Sequence, residues 1–217
     1  MNKNIKSGNW DRFWEMESSQ RFTRKSWSKI RIIKVLEGVV LEGMEILDAG
    51  CGSGFFSAYF LSKGCRVWAL DYSGASLEIA RKNTQGRCQA YLKENLFLDD
   101  WMEPFRNKFD LIFSDGLFEH FSDEDQQQLM GHFKMLKKKN GIIATFVPNR
   151  YSWWEILRPL VMPGIHEIPF TPAKVMQLHR GMHLFKTGGL NVLPVRFSPE
   201  RLLGSRWGMI LYGLASH

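Results

Sequence analysis

Over residues 27–40 the apolar positions Trp27, Ile30, Ile33, Leu36 and Val40 recur at helical spacing, and Gly43 stands where that helix closes. Short apolar runs then alternate with amphipathic stretches. Runs at 45–49, 66–71, 109–114 and 141–147 predict strands, and a weaker one covers 88–92. Between them, helices are predicted at 54–62 and, with Ser73 as N-cap, at 75–83. Another opens at Ser122-Asp123-Glu124-Asp125 and ends in the basic run Lys137-Lys138-Lys139-Asn140-Gly141. A further helix opens near Thr171-Pro172, and 190–197 and 207–215 read as a closing antiparallel pair of strands. Strands alternating with helices predict an α/β fold: a doubly wound parallel sheet with helices on both faces.

The first strand runs into Glu45-Ile46-Leu47-Asp48-Ala49-Gly50-Cys51-Gly52-Ser53-Gly54, where an acid is followed by three glycines alternating with small residues. The second strand ends in Asp71. Glycine lets backbone approach a ligand where a Cβ would collide. An acid ending the second strand can accept hydrogen bonds from a ribose diol. The layout is that of a nucleoside pocket at the carboxyl ends of adjacent parallel strands. Two common phosphate-binding patterns are excluded. A dinucleotide site wants glycine where Phe55 stands, and a P-loop needs a Lys-Ser/Thr pair that does not follow.

The same residues resemble motif I, E/D-x-G-x-G-x-G, of the class I S-adenosylmethionine (SAM)-dependent methyltransferases. Phe109-Asp110-Leu111-Ile112 through Phe118-Glu119-His120 resembles the family's fourth-strand segment, with Phe118 in the place of its Leu. Leu136–Ile143 resembles L-K-P-G-G, with Lys139 and Asn140 replacing Pro-Gly, and Val147-Pro148-Asn149 resembles the T-P-N ending of the fifth strand. The likeness extends over residues 27–215. Its Glu-His and Pro-Asn elements look most like small-molecule enzymes related to ubiquinone and menaquinone biosynthesis.

The resemblance implies a Rossmann-like, seven-stranded, mostly parallel sheet with an antiparallel C-terminal hairpin. It implies SAM as cofactor, S-adenosylhomocysteine as product and a small-molecule acceptor. The cofactor-binding residues it implies are Asp48, Gly50, Cys51, Gly52, Gly54, Asp71, Tyr72, Asn95 and Ser114, with no metal ligand. The family's usual acid at the adenine is replaced by the stretch Lys93-Glu94-Asn95; Asn95 aligns best and Glu94 competes.

Methyl transfer from a sulfonium is an in-line displacement, and the protein's task is alignment and exclusion of water. A base is needed only for a hydroxyl or protonated amine acceptor. His120 is the candidate base; the alternative is a histidine that packs locally and shapes the pocket. Glu119 is placed to orient it or to assist with a divalent metal, the alternative being a solvent-facing or helix-start carboxylate. His179 and His183, four apart, have metal-site spacing but no acidic neighbour, and read as an incidental pair. Residues 150–170, with Trp153 and Trp154, read as an apolar substrate lid suited to an aromatic or lipid-like acceptor, the alternative being ordinary core packing of a buried amphipathic turn. Arg150 and Arg158 are placed to hold an anionic group or to snorkel at a membrane. O-methylation is the first expectation, with N- and C-methylation left open. A SAM- or nucleoside-binding regulator that does not catalyse and a nicotinamide-dependent oxidoreductase are the alternatives.

Composition narrows this little. The 217 residues suit one domain, with residues 1–25 (Trp10, Phe13, Trp14, Phe22) as a leading segment over the pocket mouth. No apolar run is long enough for a membrane span, and no leading apolar stretch reads as a secretory signal. Cys51, Cys65 and Cys88 form no C-x-x-C pair and read as reduced thiols, so a cytoplasmic location is expected. Charge is uneven. Residues 39–133 hold eight Lys/Arg and fifteen Asp/Glu; residues 134–217 hold twelve and three. The acidic middle suits a cationic cofactor. The basic ends suit an anionic substrate or peripheral membrane contact, against a plain solvated surface, and no nucleic-acid module is recognisable.

Overall fold

The structure, a computed structural model, describes residues 7–15, 23–161 and 167–216. Helices α1 (Ser7–Glu15) and α2 (Trp27–Leu36) precede the first strand. Then β1 (Glu45–Ala49), α3 (Phe55–Ser62), β2 (Arg66–Asp71), α4 (Gly74–Asn83) and β3 (Ala90–Lys93) alternate. They are followed by β4 (Phe109–Asp115), α5 (Asp123–Leu136), β5 (Lys137–Pro148), α6 (Trp154–Val161) and α7 (Pro172–Leu178). The chain closes with β6 (His183–Leu190), α8 (Glu200–Trp207) and β7 (Ile210–Ser216). Capping follows the sequence: the hydroxyls of Ser26, Ser73, Ser122 and Thr171 each accept the backbone N–H three residues on.

The seven strands form one sheet in the order β3-β2-β1-β4-β5-β7-β6, with β7 antiparallel to both its neighbours. Alternation along each strand feeds two cores. Leu47, Trp68 and Ile112 face one side with Phe118 and Phe133; Ile46, Val67 and Leu111 face the other with Ile32 and Phe60. Strand order reverses between β1 and β4, the place where such sheets bind ligands.

Three elements differ from the sequence expectation. Helix α2 stops at Leu36 and turns through Gly38 at φ +78°, well before Gly43. The basic run after Leu136 is strand, not helix end. It carries a register shift against β4, and the ammonium of buried Lys137 donates to the carbonyls of Lys138 and Lys139, 3.0 Å each. Gly141 is required there, because a Cβ would lie 2.7 Å from the Phe109 carbonyl oxygen. At the C-terminus the strand is 183–190 rather than 190–197, and a helix stands where the sequence suggests a turn. Pro194 and Pro199 cannot donate to a ladder, and Asn191 turns the chain at φ +64°. The closing pair is nevertheless antiparallel, as expected.

Candidate functional site

At the carboxyl ends of β1, β2 and β4 lies a cavity of about 930 Å³. That is near the upper end for small-molecule sites (about 300–1,000 Å³) and leaves room for a second ligand beside a nucleoside. The turn after β1 is pinned to β2: the N–H groups of Gly50 and Cys51 both donate to the Leu70 carbonyl, at 2.8 and 2.9 Å. Gly50, Gly52 and Gly54 all hold left-handed φ. Their missing side chains serve different neighbours. A Cβ on Gly50 would lie 3.0 Å from Leu117, one on Gly52 2.7 Å from the Trp14 ring, and one on Gly54 2.7 Å from Ala80 of α4. Gly50 and Gly52 line the cavity; Gly54 is set back against α4.

Asp71 bridges two turns. One carboxylate oxygen accepts the Gly52 N–H and the other the Ser73 N–H, both at 2.9 Å. Burial raises its pKa while these donors oppose the shift. Asp48 lines the cavity from β1, accepting from the Ser57 hydroxyl at 2.6 Å, and burial pushes its carboxyl up to about 7. Tyr72, Cys51, Glu94 and Asn95 also line the cavity. The Asn95 side-chain oxygen already accepts the Phe97 N–H at 3.0 Å, so any bond to an adenine uses its second lone pair. Ser114 is fully buried in β4 and is not among the lining residues.

Beyond β4 a short turn, Phe118–His120, places His120 on the cavity with its ring edge-on to Trp10, centroids 4.8 Å apart. Glu119 is not solvent-facing: it is 3% exposed, its Oε2 has no hydrogen-bond partner among the described residues, and burial holds its pKa well above the ordinary value. Among the described residues, Glu119, His120 and Glu167 bring one ligand atom each within 4.8 Å of one another, a carboxylate–imidazole cluster absent from the sequence expectation of no metal ligand. Lys29 and Asp115, also unforeseen, line the same cavity. Burial takes the Lys29 ammonium down to about 8 and the Asp115 carboxyl up to about 6, each opposed by the other's charge. Asp115 has a signal in sequence, since it ends a strand as Asp71 does; Lys29 and Glu167 have none.

Helix α1 lies against this cavity through Trp10, Phe13 and Trp14; Phe22 falls outside the described residues. Of the tryptophan pair in the 150–170 segment, Trp154 lines the cavity, whereas the Trp153 indole N–H donates to the Val192 carbonyl at 2.9 Å. Arg150 is exposed and the side chain of Arg158 is outside the described residues. His179 and His183 do not form a pair: His179 is buried beside Thr145 at the end of α7, and His183 is exposed in β6.

Residues 46–141 match the family model described as a methyltransferase domain. The malonyl-(acyl-carrier protein) O-methyltransferase of Hamiltonella defensa is 33% identical over 98 residues, covering 45% of this chain and 35% of that protein. The ubiquinone biosynthesis O-methyltransferase of Pasteurella multocida is 32% identical over 119 residues, covering 51% and 48%. The chain thus spans less than half the length of these curated relatives. In fold, a SAM-dependent methyltransferase of Anabaena variabilis superposes with a TM-score of 0.72 at 20% identity, over 99% of this chain and 96% of that one.

Proposed function

We propose, from the premise that residues 46–141 belong to a class I SAM-dependent methyltransferase domain, that this protein methylates a small-molecule acceptor, by O-methylation of an aromatic or lipid-like compound. One observation carries the reading: the glycine turn and Asp71 open into the same cavity as His120 and Trp154. The cavity therefore has a cofactor end and an acceptor end.

At the cofactor end, Asp71 holds the ribose, Gly50 and Gly52 admit the chain beside it, and Asn95 or Glu94 meets the adenine. Asp48, Asp71, Asp115 and Glu119 line this cavity with carboxyl groups whose ionised forms burial disfavours and a bound sulfonium would favour. Bound SAM supplies an already activated methyl group. What the chain supplies is alignment and dryness: Leu117, Phe121 and Trp154 wall the acceptor, and Trp10 orients the His120 ring. His120 then takes the proton from an acceptor hydroxyl, a step suited to imidazole near neutral pH.

Incubation with SAM and a small-molecule extract, followed by mass spectrometry for species gaining one methyl, tests the proposal. Calorimetry with SAM is the companion measurement. Binding without any methylated product would favour a SAM-binding regulator; absence of binding would remove the reading altogether.

A further inference from the structure

We infer that the segment 193–207, which carries the chain from β6 towards β7, docks on an anionic lipid surface. Its large apolar residues face outward rather than into a core. Helix α8 meets β6 backbone to backbone: a Cβ on Gly204 would lie 2.1 Å from the Gly189 carbonyl oxygen, and one on Gly189 2.0 Å from that of Gly204. No layer of side chains fits between them, so Leu202 (87% exposed) and Trp207 (46%) point away from the sheet. The preceding loop is closed by the Leu193 N–H donating to the Ser198 hydroxyl at 3.0 Å, and it leaves Phe197 at 80% and Val195 at 50% exposure. Amphipathic helices at membrane interfaces carry this mixture of aromatic, aliphatic and basic residues.

Charge selects the occupant. Arg196, Arg201 and Arg206 are all exposed, and the guanidinium groups of Arg196 and Arg206 lie over the rings of Phe197 and Trp207, at 5.5 and 5.4 Å. The segment's one acid, Glu200, is turned inward onto Arg31 at 2.5 Å. The outward face is therefore apolar and purely cationic. A second copy of this chain seated two-fold on that face would set arginine against arginine with no carboxylate between. An anionic headgroup layer satisfies the guanidinium groups while the side chains below it enter the acyl boundary.

The face also borders the cavity. Asn149 donates through its amide to the Gly208 carbonyl at 2.8 Å, Trp153 ties residue 192 to the 150–170 segment, and Met209 and Ile210, immediately after α8, line the cavity. An apolar acceptor partitioned in the bilayer would thus be presented at the mouth.

Co-sedimentation of the full chain with vesicles tests this, in the absence of SAM, so the outcome is independent of the methyl-transfer reading. Vesicles of mixed phosphatidylglycerol and phosphatidylcholine should bind the protein, pure phosphatidylcholine should bind it at least tenfold less, and added salt should weaken the difference. The pair Phe197→Asp with Leu202→Asp should lower binding at least tenfold. The pair Arg196→Glu with Arg201→Glu should lower it further, since each basic residue near an anionic surface strengthens binding about fivefold. The second pair keeps the test open if the first unfolds. Equal binding to both vesicle types, binding to neither, or full binding by the arginine variant would overturn the inference. So would a dimer in sedimentation velocity that the arginine variant disperses, since the face would then belong to a second copy.

Discussion

The carboxylate of Asp11 accepts a 2.6 Å hydrogen bond from the hydroxyl of Ser73. The contact joins α1 to the first turn of α4, where the aligned N–H groups favour a negative charge. The Ser73 hydrogen bond leads in holding the Asp11 carboxyl below its ordinary value. Because the Ser73 N–H donates to Asp71, the clasp on α1 and the acid expected at the ribose share one residue.

Asp11→Ala should therefore release α1 while leaving the sheet intact. Loss of one such bond costs about 0.5–1.5 kcal/mol, so SAM should bind a few-fold more weakly and leave faster. Stopped-flow displacement of SAM reads this directly. An unchanged dissociation rate would show that α1 does not cover the cofactor.

Asp71→Ala removes the proposed ribose acceptor and the clamp on Gly52 and Ser73 together. Charge-assisted bonds of this kind are worth about 1–3 kcal/mol each, so SAM affinity should fall at least tenfold. Calorimetry gives the affinity, and the melting temperature of the free protein separates a loosened turn from a lost contact. Wild-type affinity would place the ribose elsewhere.

The second and third glycines of the turn should fail differently. Gly54→Ala drives a methyl group to 2.8 Å from the Ala80 Cα, which cannot yield without moving α4. Gly52→Ala meets only the Trp14 side chain. Both carry the cost of left-handed backbone, but Gly54→Ala should add overpacking of about 1–3 kcal/mol and lower the melting temperature further. Gly52→Ala should instead stay folded, displace α1 and weaken SAM binding. Equal destabilisation by the two would contradict this division.

Stability should carry a pH signature from Asp48. Its carboxyl sits at about 7 in the folded protein against 3.8 for an ordinary aspartate. Between those values the folded state binds more protons than the unfolded one. The contribution is therefore complete below the lower value and lost as pH rises through the upper. Asp48→Asn keeps an acceptor for the Ser57 hydroxyl and abolishes the titration. Wild type should lose more stability than the variant between about pH 4 and 8, by no more than about 1.4 kcal/mol for each tenfold fall in proton concentration. Urea denaturation of both proteins at the two pH values measures it; parallel losses would mean the carboxyl is not held up.

On the acceptor side, Trp154→Ala should raise the acceptor KM and spare SAM affinity, because Trp154 lines the cavity. Trp153→Ala should mainly lower stability, through loss of its bond to Val192. His120→Ala should lower kcat with little change in either affinity. Steady-state kinetics with an identified acceptor would expose a wrong assignment as an unchanged KM for Trp154→Ala.

Local chemistry explains what is legible in the sequence. Glycines at 50, 52 and 54 announce left-handed backbone because other residues adopt it poorly, and Asp71 announces a strand end. The C-terminal strand is harder to place because Leu193, Val195 and Phe197 alternate like a strand, whereas 183–190 contains Gly188 and Gly189. What makes 183–190 a strand is its pairing with β7 and the approach of α8, both settled by distant residues. Lys137 misleads for a similar reason: a lysine whose ammonium caps two carbonyls looks, in sequence, like a solvated helix end. The burial of Glu119 is equally invisible, since it depends on the 167–170 segment, whose Ile168 N–H donates to the Glu119 carbonyl at 2.7 Å.

The position of β7 between β5 and β6 constrains the order of assembly. Its residues emerge from the ribosome after those of every other strand in the sheet, yet they occupy an interior place in it. Until Ser216 has been made, β5 presents a bare hydrogen-bonding edge and β6 has no neighbour on which to form. Closure of the sheet is thus a late event, and the half-built protein carries an open strand edge of the kind that pairs with other chains.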